Sequence, residues 1–256
     1  MSDERVSNPY ATPKSGATNT PPTFGSPDAL GVKPDARLAA AFLTQAFVWM
    51  FVGLVLSAGV AFVVQQSEQL TAFAQGNYFL FLIAQIGLVF VISLGISRIS
   101  ATVALGLFFV YAASLGVTLG VIVPAVAAQG GGTASVVTAF LSASAIFGGA
   151  AIYGAVTKRS LAGLGGILFM GLIGLLAAMI LNIFLGSSQL TWLISIIGVV
   201  IFTALTAYDV QRIQNGQIAA ATGSMAKGAV IGALVLYLDF INIFLFLLRL
   251  FGGSRN

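Results

Sequence analysis

The chain has 256 residues, 58% hydrophobic and 7% charged, with a formal net charge of +4 and neither cysteine nor histidine. An ordinary soluble domain is about 25% charged, so a water-soluble globule is excluded. The missing residue types also exclude disulfides, thiolate or imidazole metal sites, a catalytic cysteine, a Ser-His-Asp triad and a zinc-protease motif.

Residues 1–38 hold six of the seven prolines (Pro9, Pro13, Pro21, Pro22, Pro27 and Pro34) among Ser, Thr, Asn and Gly. Such a segment buries too little apolar area to offset chain entropy, which predicts a disordered, solvated leader. It lacks the apolar core of a signal peptide. A Pro-rich tail can also recruit a partner, but the solvated leader is the favoured reading.

Seven apolar segments follow, at about 40–64, 78–97, 102–124, 134–156, 161–185, 190–212 and 229–251. A helix needs about 20 apolar residues to cross the hydrocarbon, and open strand edges are not tolerated there. The predicted fold class is therefore an all-α integral membrane protein, a seven-helix bundle over residues 39–253. Thirty glycines suit close helix approach, with Gly116/Gly120 and Gly228/Gly232 as Gly-x-x-x-Gly packing pairs.

The basic residues are scattered singly or in pairs, not in the runs that read as nucleic-acid patches. The lipid bilayer is the expected partner and nucleic acid is not. With a cytosolic N-terminus, Lys33, Arg37, Arg98, Lys158, Arg159, Arg212 and Lys227 fall inside, and only Arg249 and Arg255 outside. Seven against two predicts that orientation. The two exceptions follow the seventh segment, which either crosses, the favoured reading, or dips in and returns.

After Glu68 the chain has two carboxylates, Asp209 and Asp239, each inside a spanning segment. An intramembrane acid costs roughly 2.5–3.5 kcal/mol on insertion scales, so each is a candidate functional residue. Asp209 lies near the cytosolic end of the sixth segment. There it is either an interface acid pairing locally with Arg212 or one member of an acid pair. Asp239 is about 14 helical residues, roughly 20 Å, from Gly252, too deep for so short a side chain to reach water. It must face the bundle interior, a cavity or a partner. Asn242 and Arg249 extend a polar stripe along its helix, with helix-to-helix hydrogen bonding as the alternative purpose. Spacing alone does not show that the two acids meet, but if they do they cannot both ionise cheaply. Arg98, at the cytosolic end of the second segment, is either a counter-charge at that depth or a positive-inside anchor. With no histidine, any pH response near neutrality falls to the carboxylates.

Tyr208-Asp209-Val210-Gln211-Arg212-Ile213 resembles the Tyr-Asp-x-Gln motif of the Bax inhibitor family, the transmembrane Bax inhibitor motif proteins, in its bacterial type. Leu236-Tyr237-Leu238-Asp239-Phe240-Ile241-Asn242-Ile243-Phe244, running on to Leu247-Leu248-Arg249-Leu250-Phe251-Gly252, is similar to its C-terminal signature. The resemblance covers about residues 38–253. It implies two three-helix layers around a central seventh helix. It also implies an Asp209–Asp239 hydrogen-bonded pair that senses pH, with Arg98 standing where a second-helix arginine pairs with the sixth-helix acid in one state. Tyr208, Arg212, Asn242 and Arg249 are the supporting polar residues. Members are described as calcium-leak channels with protective roles in cell death and stress, and some bacterial members as modulators of a membrane protease. Where some relatives carry a second-helix glutamate this chain has Gly87, and calcium prefers six to eight oxygens. Calcium is therefore expected as a weakly bound transported ion, not as a resident metal, and no cofactor is expected.

Three functions follow. The leading one is a non-enzymatic, pH-gated calcium leak in the plasma membrane, the inner membrane in a bacterium. The second is a non-conducting regulator of another membrane protein, such as a protease. The third, disfavoured, is an intramembrane aspartyl protease, because Leu236, Tyr237 and Leu238 stand where those enzymes carry Gly-x-Gly before the second aspartate.

Overall fold

The structure is a computed structural model that describes residues 36–129 and 131–252. The bulk of the expected leader, and Arg255, lie outside the described residues. Among the described residues seven helices are long and apolar enough to cross a membrane: α1 (Ala36–Gln65), α3 (Tyr78–Gly95), α4 (Ala101–Ala127), α5 (Gly132–Val156), α6 (Gly165–Leu185), α7 (Ser188–Gln214) and α9 (Met225–Gly252). The protein is thus an all-α, multi-pass membrane protein. Among the described residues two short helices, α2 (Glu68–Gly76) and α8 (Gln217–Thr222), and a 3-10 turn, Ala162–Leu164, occupy stretches that hydropathy marks only as breaks.

The helix starts follow local chemistry. Ser67, Ser100 and Ser187 cap α2, α4 and α7, each side chain accepting from a backbone N–H three residues on, which satisfies a donor that the first turn leaves free. Gly216 and Gly223 flank α8 at φ 70° and 67°, a left-handed conformation that glycine adopts without steric cost. They make the turns that return the chain from α7 to α9.

α9 is one uninterrupted helix of 28 residues, about 42 Å long, and not a segment that dips in and returns. It packs against α1, α4, α5, α7 and α8. In its most apolar stretch 72% of residues are buried, against 11% in α3 and in α6, so α9 is the centre of the bundle. α3 leans on α4 from outside and α6 on α7. Their outward residues, such as Phe79, Leu94, Ile183 and Phe184, are exposed and suit hydrocarbon, where apolar surface carries no hydration penalty.

Both Gly-x-x-x-Gly pairs lie at close contacts. A Cβ at Gly116 or Gly120 would meet Ser57 or Val64 of α1, and one at Gly228 or Gly232 would meet Ala219 of α8 or Ala46 of α1. Gly154 of α5 is tighter still, because a Cβ there would run into the Ala207 carbonyl of α7. Gly154→Val is expected to force α5 from α7 beside the Asp209 segment and to lower stability by about 1–3 kcal/mol. Thermal unfolding in detergent checks this, with Gly149→Ala, which has open space, as the silent control.

Candidate functional site

α7 and α9 run antiparallel, and two glycine contacts set their register. Gly232 of α9 meets Ile213 of α7 near one end, and Gly198 of α7 meets Phe246 of α9 near the other. Counting from the first contact, Thr206 and Asp239 are both seven residues deeper and share a level. Asp209 is one turn nearer the end. This register places the two acids within electrostatic range of each other, but no hydrogen bond joins them among the described residues, so the hydrogen-bonded pair that the resemblance implies is not formed in this conformation.

Both acids are buried, Asp209 at 5% and Asp239 at 3% exposure. Arg212, one turn after Asp209, donates from its guanidinium to Asp209 Oδ1 at 3.0 Å. The same guanidinium lies 5.3 Å from the ring centre of Tyr208, a cation–π distance that orients the charge. Deeper in, the Thr206 hydroxyl faces the Asp239 carboxyl, and Asp209 lies within electrostatic range of it. Asp239 Oδ2 is fully buried and has no hydrogen-bond partner among the described residues. Thr206 already donates to the Phe202 carbonyl at 2.8 Å. That hydroxyl has a single proton, so it cannot serve the Phe202 carbonyl and an Asp239 carboxylate at once.

Other residues proposed from the sequence fall elsewhere. Arg98 lies in the turn after α3. Lys227 donates to the Ser97 carbonyl at 3.2 Å, yet Arg98 itself is exposed and its guanidinium makes no hydrogen bond or ion pair among the described residues. The counter-charge in this conformation is Arg212, because it sits on the acid's own helix face while α3 stands on the rim. Nor does the polar stripe on α9 act as a unit. Asn242 donates back to the Leu238 carbonyl at 2.8 Å, and half-buried Arg249 is ten residues, about 15 Å, along the helix from Asp239.

The sequence alone assigns no role to three participants, although Gln211 and Tyr237 stand in the two motifs. Gln211 clamps the loop between α5 and α6, donating to the Arg159 carbonyl at 2.9 Å and accepting from the Leu161 N–H at 2.7 Å. Tyr237, two residues before Asp239, shares a 2.6 Å hydrogen bond with Ser57 of α1, which also bonds the Ala112 carbonyl of α4 at 2.7 Å. One network thus joins α9 to both neighbours. Ser57 is the only hydroxyl between Gln45 and Gln65 of α1, and that isolation was the available signal. Tyr237→Phe is expected to cost about 0.5–1.5 kcal/mol, read as a lower unfolding temperature, with Ser57→Ala adding less than its own effect because the two share a bond.

Among the described residues no three His, Cys, Asp or Glu cluster as metal ligands. What the chain does hold is a buried acid pair, with one member ion-paired and the other orphaned, at one end of a seven-helix membrane bundle. The model of the family described as "Inhibitor of apoptosis-promoting Bax1" matches residues 39–256. The inner membrane protein YbhL of Escherichia coli K12 is 42% identical over 230 residues, 88% of this chain and 96% of that protein. Proteins of Deinococcus radiodurans and Borreliella burgdorferi are 42% and 40% identical, covering 84% and 88% of this chain and 91% and 97% of their own lengths. The chain belongs to the Bax inhibitor family.

Proposed function

We propose that the protein is a pH-sensitive cation leak, with calcium the transported ion, gated by Asp209 and Asp239. The observation that carries this reading is the orphaned Asp239 Oδ2, buried beside a second acid that is already matched by Arg212. When the pair holds one proton its single charge is offset by Arg212. When that proton leaves, a second charge appears where no donor meets it. An uncompensated buried charge is costly enough to favour a rearranged bundle, through movement of α7 against α9 or recruitment of the exposed Arg98. Calcium entering with the opened state would meet two carboxylates and backbone carbonyls, a weak site suited to passage.

The N-terminus and the acid-pair end face the cytosol in this reading, supported by the basic residues at that end, and the membrane is the inner one, as for the Escherichia coli relative. The protein is read as non-enzymatic, since Leu236, Tyr237 and Leu238 crowd the approach to Asp239. Calcium efflux from liposomes containing the purified protein, measured across pH, tests the function. Flux indistinguishable from empty liposomes at every pH would sink it.

A further inference from the structure

At the acid-pair end of the bundle, the loop between α5 and α6 and the last turn of α7 border a half-open cavity of about 290 Å³, near the lower limit of the roughly 300–1,000 Å³ of small-ligand sites. Its lining includes Lys158, Arg159, Gln211, Gln214 and Asn215, and no acid. The side chains of Lys158, Arg159, Gln214 and Asn215 make no hydrogen bond or ion pair among the described residues. Two cations and two amides therefore bring unspent donors to one small cavity.

The loop that carries the cations is held in shape. Gln211 grips it at the Arg159 carbonyl and the Leu161 N–H. Thr157 accepts from the Arg159 N–H and Ser160 from the Ala162 N–H, each at 3.3 Å. Such preorganisation lowers the ordering cost of binding.

A simpler role for the cations is to offset the carboxyl ends of α5 and α7, which both terminate here. Each helix end carries roughly half a negative charge, so the two together amount to about one, and two full cations leave the cavity net positive. Arg212 adds nothing, being spent on Asp209. Exposed Tyr153 and Val156 on α5 set the cavity beside the lipid. A basic pocket between membrane helices at that depth fits a headgroup, and an arginine fork matches phosphate oxygens.

We propose that this cavity is a phosphate-binding site in which Lys158 and Arg159 supply the charge and Gln214 and Asn215 further donors. The occupant is the phosphate of an anionic lipid or free inorganic phosphate.

The full-length protein in neutral detergent tests this by thermal unfolding during titration with inorganic phosphate, short-chain phosphatidylglycerol or, as a phosphate-free control, diacylglycerol. Unfolding temperature rises with phosphatidylglycerol alone for a lipid site, or with inorganic phosphate as well for a free-anion site. Lys158→Gln combined with Arg159→Gln weakens the response at least tenfold. Both side chains are exposed and unpaired, and the variant's unliganded unfolding temperature checks its folding. Lys227→Gln, a cation at the same end but outside the cavity, keeps the response. No response to either phosphate compound, an equal response to diacylglycerol, or an undiminished response in the double variant overturns the proposal and leaves the cations as topology and helix-end charges. None of these readouts depends on calcium flux, so the site and the leak stand or fall separately.

Discussion

Asp239→Asn is expected to abolish the pH dependence of calcium efflux. Asparagine has nearly the shape of a protonated aspartate and never ionises, so the second buried charge cannot form. At every pH the variant should behave as the wild type does at the acid end of its profile, whichever direction gating takes. The amide never carries a charge, so the buried site never has to accommodate one, and at neutral pH and above the variant should fold at least as stably as the wild type. Asp209→Asn should likewise flatten the profile. It frees Arg212, whose side chain is 37% exposed and can be hydrated. Flux in liposomes against pH decides the matter: a wild-type profile in both variants removes the pair from gating.

Arg212→Gln is expected to lower stability as much as the Gly154→Val packing change does. It leaves the Asp209 side chain, 7% exposed, without its cation. Breaking a fully buried ion pair costs about 3–5 kcal/mol. Because the arginine side is partly solvated, screening lowers this to about 1–3 kcal/mol. The penalty comes from the stranded carboxylate and not from lost attraction, so Asp209→Asn added to Arg212→Gln should recover most of it. Unfolding temperatures of the two single variants and the double variant measure the coupling. Additive losses would mean that Arg212 acts through packing on Tyr208 and not through Asp209. Arg98→Gln, whose guanidinium has no partner among the described residues, should leave the unfolding temperature unchanged.

The acid-pair end links these predictions with the Gln211 clamp. Asp209, Gln211 and Arg212 lie within one turn of α7 but face different neighbours: the α9 core, the α5–α6 loop and Tyr208. A Tyr-Asp-x-Gln motif is therefore a junction at which Asp209 and Arg212 pair along one face of α7 while Gln211, between them in sequence, reaches the α5–α6 loop from another, and its compactness in sequence reflects helix geometry.

The seven spans, the class of fold and the two acids worth attention were legible in the sequence because each rests on a local sum: about 20 apolar residues make a span, and one carboxylate within it stands out. The helices α2 and α8 were not, since they are too short to shift a hydropathy average and depend on Ser67 and on glycine turns. Pairing has no such local sum: the family resemblance implies a partner for each acid, and tertiary structure decides which contacts form. Whether Asp239 meets Thr206 and Asp209, whether Arg212 or Arg98 supplies the cation, and whether Tyr237 finds Ser57 all depend on how α7, α9 and α1 are rotated and offset. Those offsets are set by contacts such as Gly232 with Ile213 and Gly198 with Phe246, between residues far apart in the chain. Hydropathy has no term for them, because hydrocarbon accepts any rotation of a greasy helix until side-chain packing selects one.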